Sequence, residues 1–392
     1  MRHRITALII SVLLAVSAAG CSLVKEKVQE NAQEKAEEAA QEIIEQGNEE
    51  KEAEPERRAI KAAVLYDSLK DAKTRAIADH LRKELKALDV KTTEYEAEGD
   101  FALQLQQTAA AIEEGNDVLM VELADEGYSN EAEEICRTAA DQGIPVIFFY
   151  KEIELRNEQG LVLDHFDNTA FVGPSVRAAG RVQGEMIGEY VRDHYAALDL
   201  NGDGTISYAL FKGDNLSEKA DLRTRTSVEN ASEVLTEAGY PALTYFDESN
   251  SYGYQLDLTE TWSAFSVRDY METNMALYNE DQGNMIELVI CNSDQMAEGA
   301  VAALNAAGYN LGDGESTTIP VFGIDGTYKG RELIQERKMT GTAVCDAGKI
   351  AEKMAALADN LCLGKELTGD SDKKRFTVDY EKVLAMEEKK EE

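Results

Sequence analysis

The chain has 392 residues, 75 of them acidic and 40 basic, for a net charge of −35 and a mean hydropathy of −0.38. An acid excess of this size repels phosphate backbones and anionic headgroups, which excludes nucleic acid as a partner. Length alone admits one large or two medium domains.

Residues 1–21 read as an export signal. Arg2, His3 and Arg4 give a basic start, residues 5–16 a mostly apolar run, and Ser17-Ala18-Ala19-Gly20 small residues for cleavage. The run is too short to span a bilayer. Cys21 follows at once, as in a bacterial lipobox, with Ala18 where leucine is commoner. Acylation there would tether the mature chain to a membrane more firmly than one acyl chain could. Residues 22–58 hold 12 acidic and 6 basic residues and only a thin apolar stripe of Val24, Val28, Ile43 and Ile44. Such a segment cannot bury enough surface to fold alone, so a solvated, partly helical stalk is expected.

From Lys61 the pattern changes. Apolar runs at 62–66, 118–121, 144–149, 206–211, 288–291 and 319–324 alternate with helical periodicity at 74–88, 217–237, 297–307 and 349–363. Strands alternating with helices predict an α/β protein of βαβ units, its parallel sheets covered on both faces. The number of strands favours two such domains. Ligands on parallel sheets bind beyond the carboxyl ends of the strands. The polar residues there are Asp71, Tyr150-Lys151-Glu152, residues 214–223, Asn292-Ser293-Asp294, Asp325 and Cys345-Asp346. They span the mature chain, so they could converge only in a cleft shared by both domains.

The run Asp199-Leu200-Asn201-Gly202-Asp203-Gly204-Thr205-Ile206-Ser207 sets oxygen ligands at alternate positions, with glycine at the sharp sixth position of a calcium loop. Its twelfth position is Leu210, where an EF-hand carries a bidentate Glu. It is therefore not an EF-hand, and a hard cation would need a distant carboxylate. An ordinary Asn-Gly-Asp-Gly turn is the plainer alternative. Cys136, Cys291, Cys345 and Cys362 lie in no metal-like spacing; buried small hydrophobes or two disulfides both satisfy the pattern. No nucleophile elbow, zinc-protease motif or phosphate-cradling glycine loop is present, which argues against an enzyme.

From about residue 61 to 383 the chain resembles the galactose/glucose-binding proteins, the sugar-binding group of type I periplasmic substrate-binding proteins for ABC importers. The resemblance rests on residues 144–149 with Lys151-Glu152, the 199–207 loop, Lys212-Gly213, residues 287–299, Pro320-Val321-Phe322-Gly323-Ile324-Asp325 and Gly341-Thr342-Ala343-Val344. It implies two Rossmann-like lobes joined by three hinge crossings and closing like a flytrap. One lobe would be 59–173 plus 345–376, the other 174–344 plus 377–388. It also implies the missing metal ligand, Glu287, completing a structural Ca²⁺ site of Asp199, Asn201, Asp203, the Thr205 carbonyl and Ser207. Asp71, Arg223, Asp325 and the only tryptophan, Trp262, fall on the family's sugar-binding positions.

Six further pocket positions depart from the family: Lys73, Tyr150, Ser217, Lys219, Ser293 and Cys345. Such changes alter hexose recognition, because unpaired buried polar groups set specificity at about 1–3 kcal/mol each. Lys73 and Lys219 would suit an anionic sugar. The function implied is a lipid-anchored, extracytoplasmic, monomeric receptor that captures a sugar and delivers it to an ABC permease. A sensor handing its closed form to a chemoreceptor or kinase is the alternative.

Overall fold

The computed structural model describes residues 57–124, 126–154, 161–279, 282–365, 367 and 374–385. The export signal with Cys21, and the stalk as far as residue 56, lie outside the described residues.

The first lobe is laid down as β1 (Lys61–Tyr66), α1 (Ala72–Ala87), β2 (Lys91–Glu96), α2 (Phe101–Glu113), β3 (Val118–Val121), α3 (Ser129–Ala140), β4 (Val146–Phe149), α4 (Leu161–His165) and β5 (Thr169–Pro174). Its strands run parallel in the order β2-β1-β3-β4-β5. β3 and β4 are buried along their whole length because helices cover both sheet faces, which is why they read as unbroken apolar runs. β2 is the edge, and its sequence Lys-Thr-Thr-Glu-Tyr-Glu is half exposed and nowhere fully buried, so no apolar run marks it.

The second lobe repeats the plan: α5 (Val176–Leu198), β6 (Ser207–Lys212), α6 (Glu218–Glu237), β7 (Thr244–Tyr245), β8 (Gln255–Leu256), α7 (Ala264–Leu277), β9 (Leu288–Cys291), α8 (Asp294–Ala306), β10 (Val321–Ile324), α9 (Tyr328–Gln335) and β11 (Gly341–Cys345). The sheet order is β7-β6-β9-β10-β11, the same as in the first lobe, so β3 corresponds to β9 and β4 to β10. Both β7 and β8 pair with β6, so the outer edge is one strand broken by residues 246–254.

The chain then returns. Helix α10 (Ala347–Cys362) packs into the first lobe's core with Ile77, Leu81 and Leu85 of α1. β12 (Arg375–Val378) adds to β5 in parallel, and β13 (Tyr380–Leu384) pairs antiparallel with β11. The lobes are therefore crossed at Ser175, Asp346 and Asp379. These crossings correct the expected lobe boundaries by one or two residues. Pro174 and residues 377–378 belong to the first sheet, because β12 pairs with β5 through Val378↔Pro174. Cys345 belongs to the second, paired with Tyr380. All four cysteines among the described residues are buried and free, which selects the small-hydrophobe reading over disulfides.

Gly180, Gly184 and Gly188 form a strip along α5 against α6, a contact that no sequence motif marks. A Cβ at Gly184 would lie 2.5 Å from the Ser227 carbonyl oxygen, so the backbones touch directly. Gly184→Val is expected to cost about 1–3 kcal/mol of stability, read as a lowered urea midpoint, because α6 would have to shift off α5.

Candidate functional site

The carboxyl ends of both sheets face each other across a cleft. Glu126, Tyr150, Glu152 and Pro174 line it from the first lobe, and Lys219, Arg223 and Tyr380 from the second. The lobes are drawn together until a cavity of about 20 Å³ remains, room for about one water molecule.

Arg223 is the centre of the second lobe's wall. It projects from α6 and is almost wholly buried. It donates from Nη1 to the Asn292 carbonyl at 2.7 Å and from Nη2 to Asp325 Oδ1 at 3.0 Å. Its Nε is buried with no partner, and so is Nδ2 of Asn292. Burial alone would lower the Arg223 pKa; Asp325 reverses this and raises it, so the guanidinium stays charged. Trp262 lies with its ring 5.6 Å from the Arg223 guanidinium and 5.9 Å from Lys219 Nζ. The ring rests on Gly213, where any Cβ would overlap it. That close approach explains the glycine that follows β6.

Tyr150, Trp262 and Asp325 have φ of 62°, 59° and 110°. Left-handed backbone costs a non-glycine residue about 1–3 kcal/mol and persists only where the surroundings hold it. Three of the expected ligand residues are thus strained into place at the cleft. Burial, followed by the charges of Asp325 and Asp71, raises the Tyr150 phenol well above its ordinary pKa, so it stays protonated.

Other expected ligand residues are engaged differently. Asp71, Ser217 and Ser293 each cap a helix, accepting from the backbone N–H of Thr74, Ala220 and Met296. Their position after a strand is shared by ligand groups and helix caps, so sequence position could not separate the two roles. Lys73 donates to the Cys345 carbonyl at 2.8 Å, across the hinge. The Cys345 thiol is buried near the Val378 carbonyl. Lys219 pairs with Glu126 Oε2 at 2.9 Å. Both lysines counted as free cations therefore have partners. Glu126, Pro174 and Tyr380 were missed. Glu126 follows β3 at a carboxyl end and could have been found by extending the strand-end rule to that strand; Tyr380 lies at a crossing that no motif marks.

Each lobe also buries a carboxylate past the end of its corresponding central strand. Glu122 follows β3, accepting from Thr74 Oγ1 at 2.6 Å and from the Asp67 N–H. Asp294 follows β9, accepting from Thr342 Oγ1 at 2.6 Å and from the Thr327 N–H. Burial pushes Glu122 up to about 7 against the pull of Lys151; burial and then the charge of Asp325 push Asp294 to about 7.

The 199–207 segment joins α5 to β6 as a loop on the second lobe. Glu287 clamps both its ends, accepting at Oε1 from Leu200 N–H (2.7 Å) and at Oε2 from Ser207 N–H (2.9 Å). Asp199 Oδ2 accepts from Gly204 N–H, Asn201 Oδ1 from Asp203 N–H and Asp203 Oδ1 from Thr205 N–H. Asp199 Oδ1 is buried without a partner. Among the described residues no three His, Cys, Asp or Glu side chains converge as a metal group by themselves. An ion here would need the Asn201 amide and the Thr205 carbonyl beside the carboxylates, an all-oxygen set that suits a hard cation. Ser207 hydroxyl instead donates to the Met285 carbonyl, so its expected ligand role is not the contact it makes.

The periplasmic binding protein domain family matches residues 62–366. The chain is 28% identical over 269 residues to the D-galactose/methyl-galactoside binding periplasmic protein MglB of Haemophilus influenzae, covering 68% of this chain and 70% of that one. Among solved structures it resembles an ABC transporter periplasmic solute binding protein from Actinobacillus succinogenes with bound D-allose. The TM-score is 0.62 at 16% identity, over 83% of this chain and 98% of that one. An ABC transporter solute binding protein from Bacillus halodurans with bound myo-inositol gives 0.58 at 21%, over 84% and 96%. At these identities the structural likeness establishes the fold.

The buried carboxylates set a pH dependence. Their ordinary values are 4.5 and 3.8 and both rise to about 7 in the fold, so the stability they contribute is complete below about pH 4 and is lost as pH rises through 7. Asp294→Asn, which mimics the protonated acid, should flatten the decline in urea midpoint between pH 5 and pH 8.

Proposed function

Because the chain belongs to the periplasmic binding protein domain family, we propose that it is an extracytoplasmic sugar receptor of an ABC importer, tethered to the membrane through Cys21. One observation carries the reading. Arg223 brings a buried, unpartnered Nε donor to a cleft shared by both lobes, beside an aromatic face. Pyranose recognition needs that combination, a ring face for the C–H groups and buried donors and acceptors for hydroxyls. The MglB relative is named for D-galactose and methyl-galactoside, and the two structural relatives hold D-allose and myo-inositol. All of these are neutral polyols.

The same class suits this cleft. Lys73 and Lys219 have partners, and Glu126 and Glu152 line the cavity opposite the cations. This charge balance favours a neutral sugar over the anionic one that two free lysines would have suited. Arg223, Trp262, Tyr150 and Asp325 are the ligand groups of this reading. Each lobe supplies part of the wall, so a ligand stabilises closure by its differential affinity for the closed form, and the permease reads the closed surface.

The 199–207 loop with Glu287 would hold a structural Ca²⁺ through Asp199, Asn201, Asp203 and the Thr205 carbonyl. The orphaned Asp199 Oδ1 and the inter-strand clamp by Glu287 support it.

Trp262 is the only tryptophan, so its fluorescence reports the cleft alone. Titration with galactose, glucose, allose and myo-inositol should shift that emission for at least one of them. Arg223→Lys should weaken this response by about tenfold or more, since a lysine cannot supply the Nε donor. A flat response to all four would remove the sugar reading.

Terbium provides the metal test. Tyr195 donates to the Gly204 carbonyl at 3.0 Å and stacks on Tyr240, close enough to sensitise an ion in the loop. Tyrosine-excited terbium luminescence that Ca²⁺ quenches, and that Asp203→Asn weakens, is the expected result.

A further inference from the structure

Glu126 and Lys219 meet inside the cleft, and no part of the sugar reading requires them to do so. Glu126 belongs to the first lobe, where Gly127 N–H donates to the Glu152 carbonyl and fixes the turn. Lys219 sits in the first turn of α6 in the second lobe, with its ammonium 5.9 Å from the Trp262 ring. Their 2.9 Å contact spans the two lobes, and both side chains are more than two-thirds buried, at 30% and 28% exposure. Burial alone would raise the Glu126 pKa; Lys219, Lys151 and Arg223 outweigh it and hold the carboxyl below its ordinary range. Glu126 is thus held as a carboxylate. The space beside them takes about one water molecule, far less than a sugar ring.

We infer that the Glu126–Lys219 ion pair is an interlobe latch that a ligand must displace, and that it selects neutral sugars against charged ones. Once parted, Glu126 needs a donor and Lys219 an acceptor, and each stays largely removed from water. A hydroxyl serves either group. A ligand carboxylate would satisfy Lys219 but face Glu126, and a ligand ammonium would satisfy Glu126 but face Lys219; either leaves like charges adjacent at low dielectric. The pair therefore penalises both signs of charge. It is one of the interactions that join the lobes directly, alongside the Lys73 bond to the Cys345 carbonyl.

This inference rests on the sugar reading only for its selectivity half, so the two halves are tested separately. For the latch, nitroxides at Glu98→Cys and Leu216→Cys, exposed positions on the two rims, give the interlobe distance of the full chain by double electron–electron resonance without ligand. Lys219→Met should populate a longer distance about tenfold more than the parent, and Glu126→Lys with Lys219→Glu should bring the short distance back. A Lys219→Met distribution identical to the parent overturns the latch. So does a charge-reversed pair that stays open, since the effect would then belong to Lys219 alone. For selectivity, calorimetric titrations with D-glucose, D-glucuronate and D-glucosamine compare the parent with each single variant. Glu126→Gln should gain relative affinity for glucuronate, and Lys219→Met for glucosamine. Equal changes toward all three sugars overturn the selectivity. If none of the three binds any variant, the hexose reading fails and the resonance distances alone decide the latch.

Discussion

A buried guanidinium organises the second lobe. Arg223 cannot be left uncompensated out of water, so the chain must bring acceptors to it from several elements. It takes the Asn292 carbonyl from the end of β9 and the Asp325 carboxylate from the end of β10. Asp325 reaches that position only with a φ of 110°, which the neighbouring β11 holds through its Ala343 carbonyl and the Asp325 N–H. The position of α6, which carries Arg223, depends in turn on the glycine strip of α5. Helix packing, backbone strain and site electrostatics are consequences of one requirement. With that requirement met, Nε remains as a donor that no protein atom uses.

The two lobes solve the same packing problem with different chemistry. Both use a five-strand parallel order, and both bury a carboxylate beyond the equivalent central strand under a threonine hydroxyl and a backbone N–H. In the first lobe the neighbouring charges cancel locally, with Lys151 on Asp67 at 2.5 Å and Arg375 across Glu152 and Glu154. In the second lobe, Arg223 and Lys219 face the cleft. Closure is electrostatic as well as steric, since Lys219 of the second lobe meets Glu126 of the first.

Much of the fold was legible. Strands buried on both faces must be apolar along their length, so β3 and β9 could be bounded to the residue from their apolar runs alone. Edge and hinge strands escaped for the same physical reason. β2 is half solvated, and β12 and β13 are only 4 and 5 residues long, too short for an alternation to stand out. The site was legible in part. Asp325, Trp262 and Tyr150 come together around Arg223, whereas Asp71, Ser217 and Ser293 use their side chains as helix caps. A polar residue after a strand is needed by the next helix whether or not a ligand is present. Which purpose it serves depends on where its oxygen points.

The sequence by itself determined the alternation of strand and helix, the oxygen-rich loop at 199–207 and the polar and aromatic residues offered at the strand ends, because these follow from local periodicity and side-chain chemistry. Only the tertiary structure decided which charges are free. Lys73 and Lys219 are indistinguishable from solvent-facing lysines in the chain, and Glu126 carries no motif at all. Their pairing spans 93 residues of sequence for Lys219 and Glu126, and 272 for Lys73 and Cys345. Contacts of that separation arise from how two lobes close, and closure is a property of three dispersed crossings that no local pattern encodes.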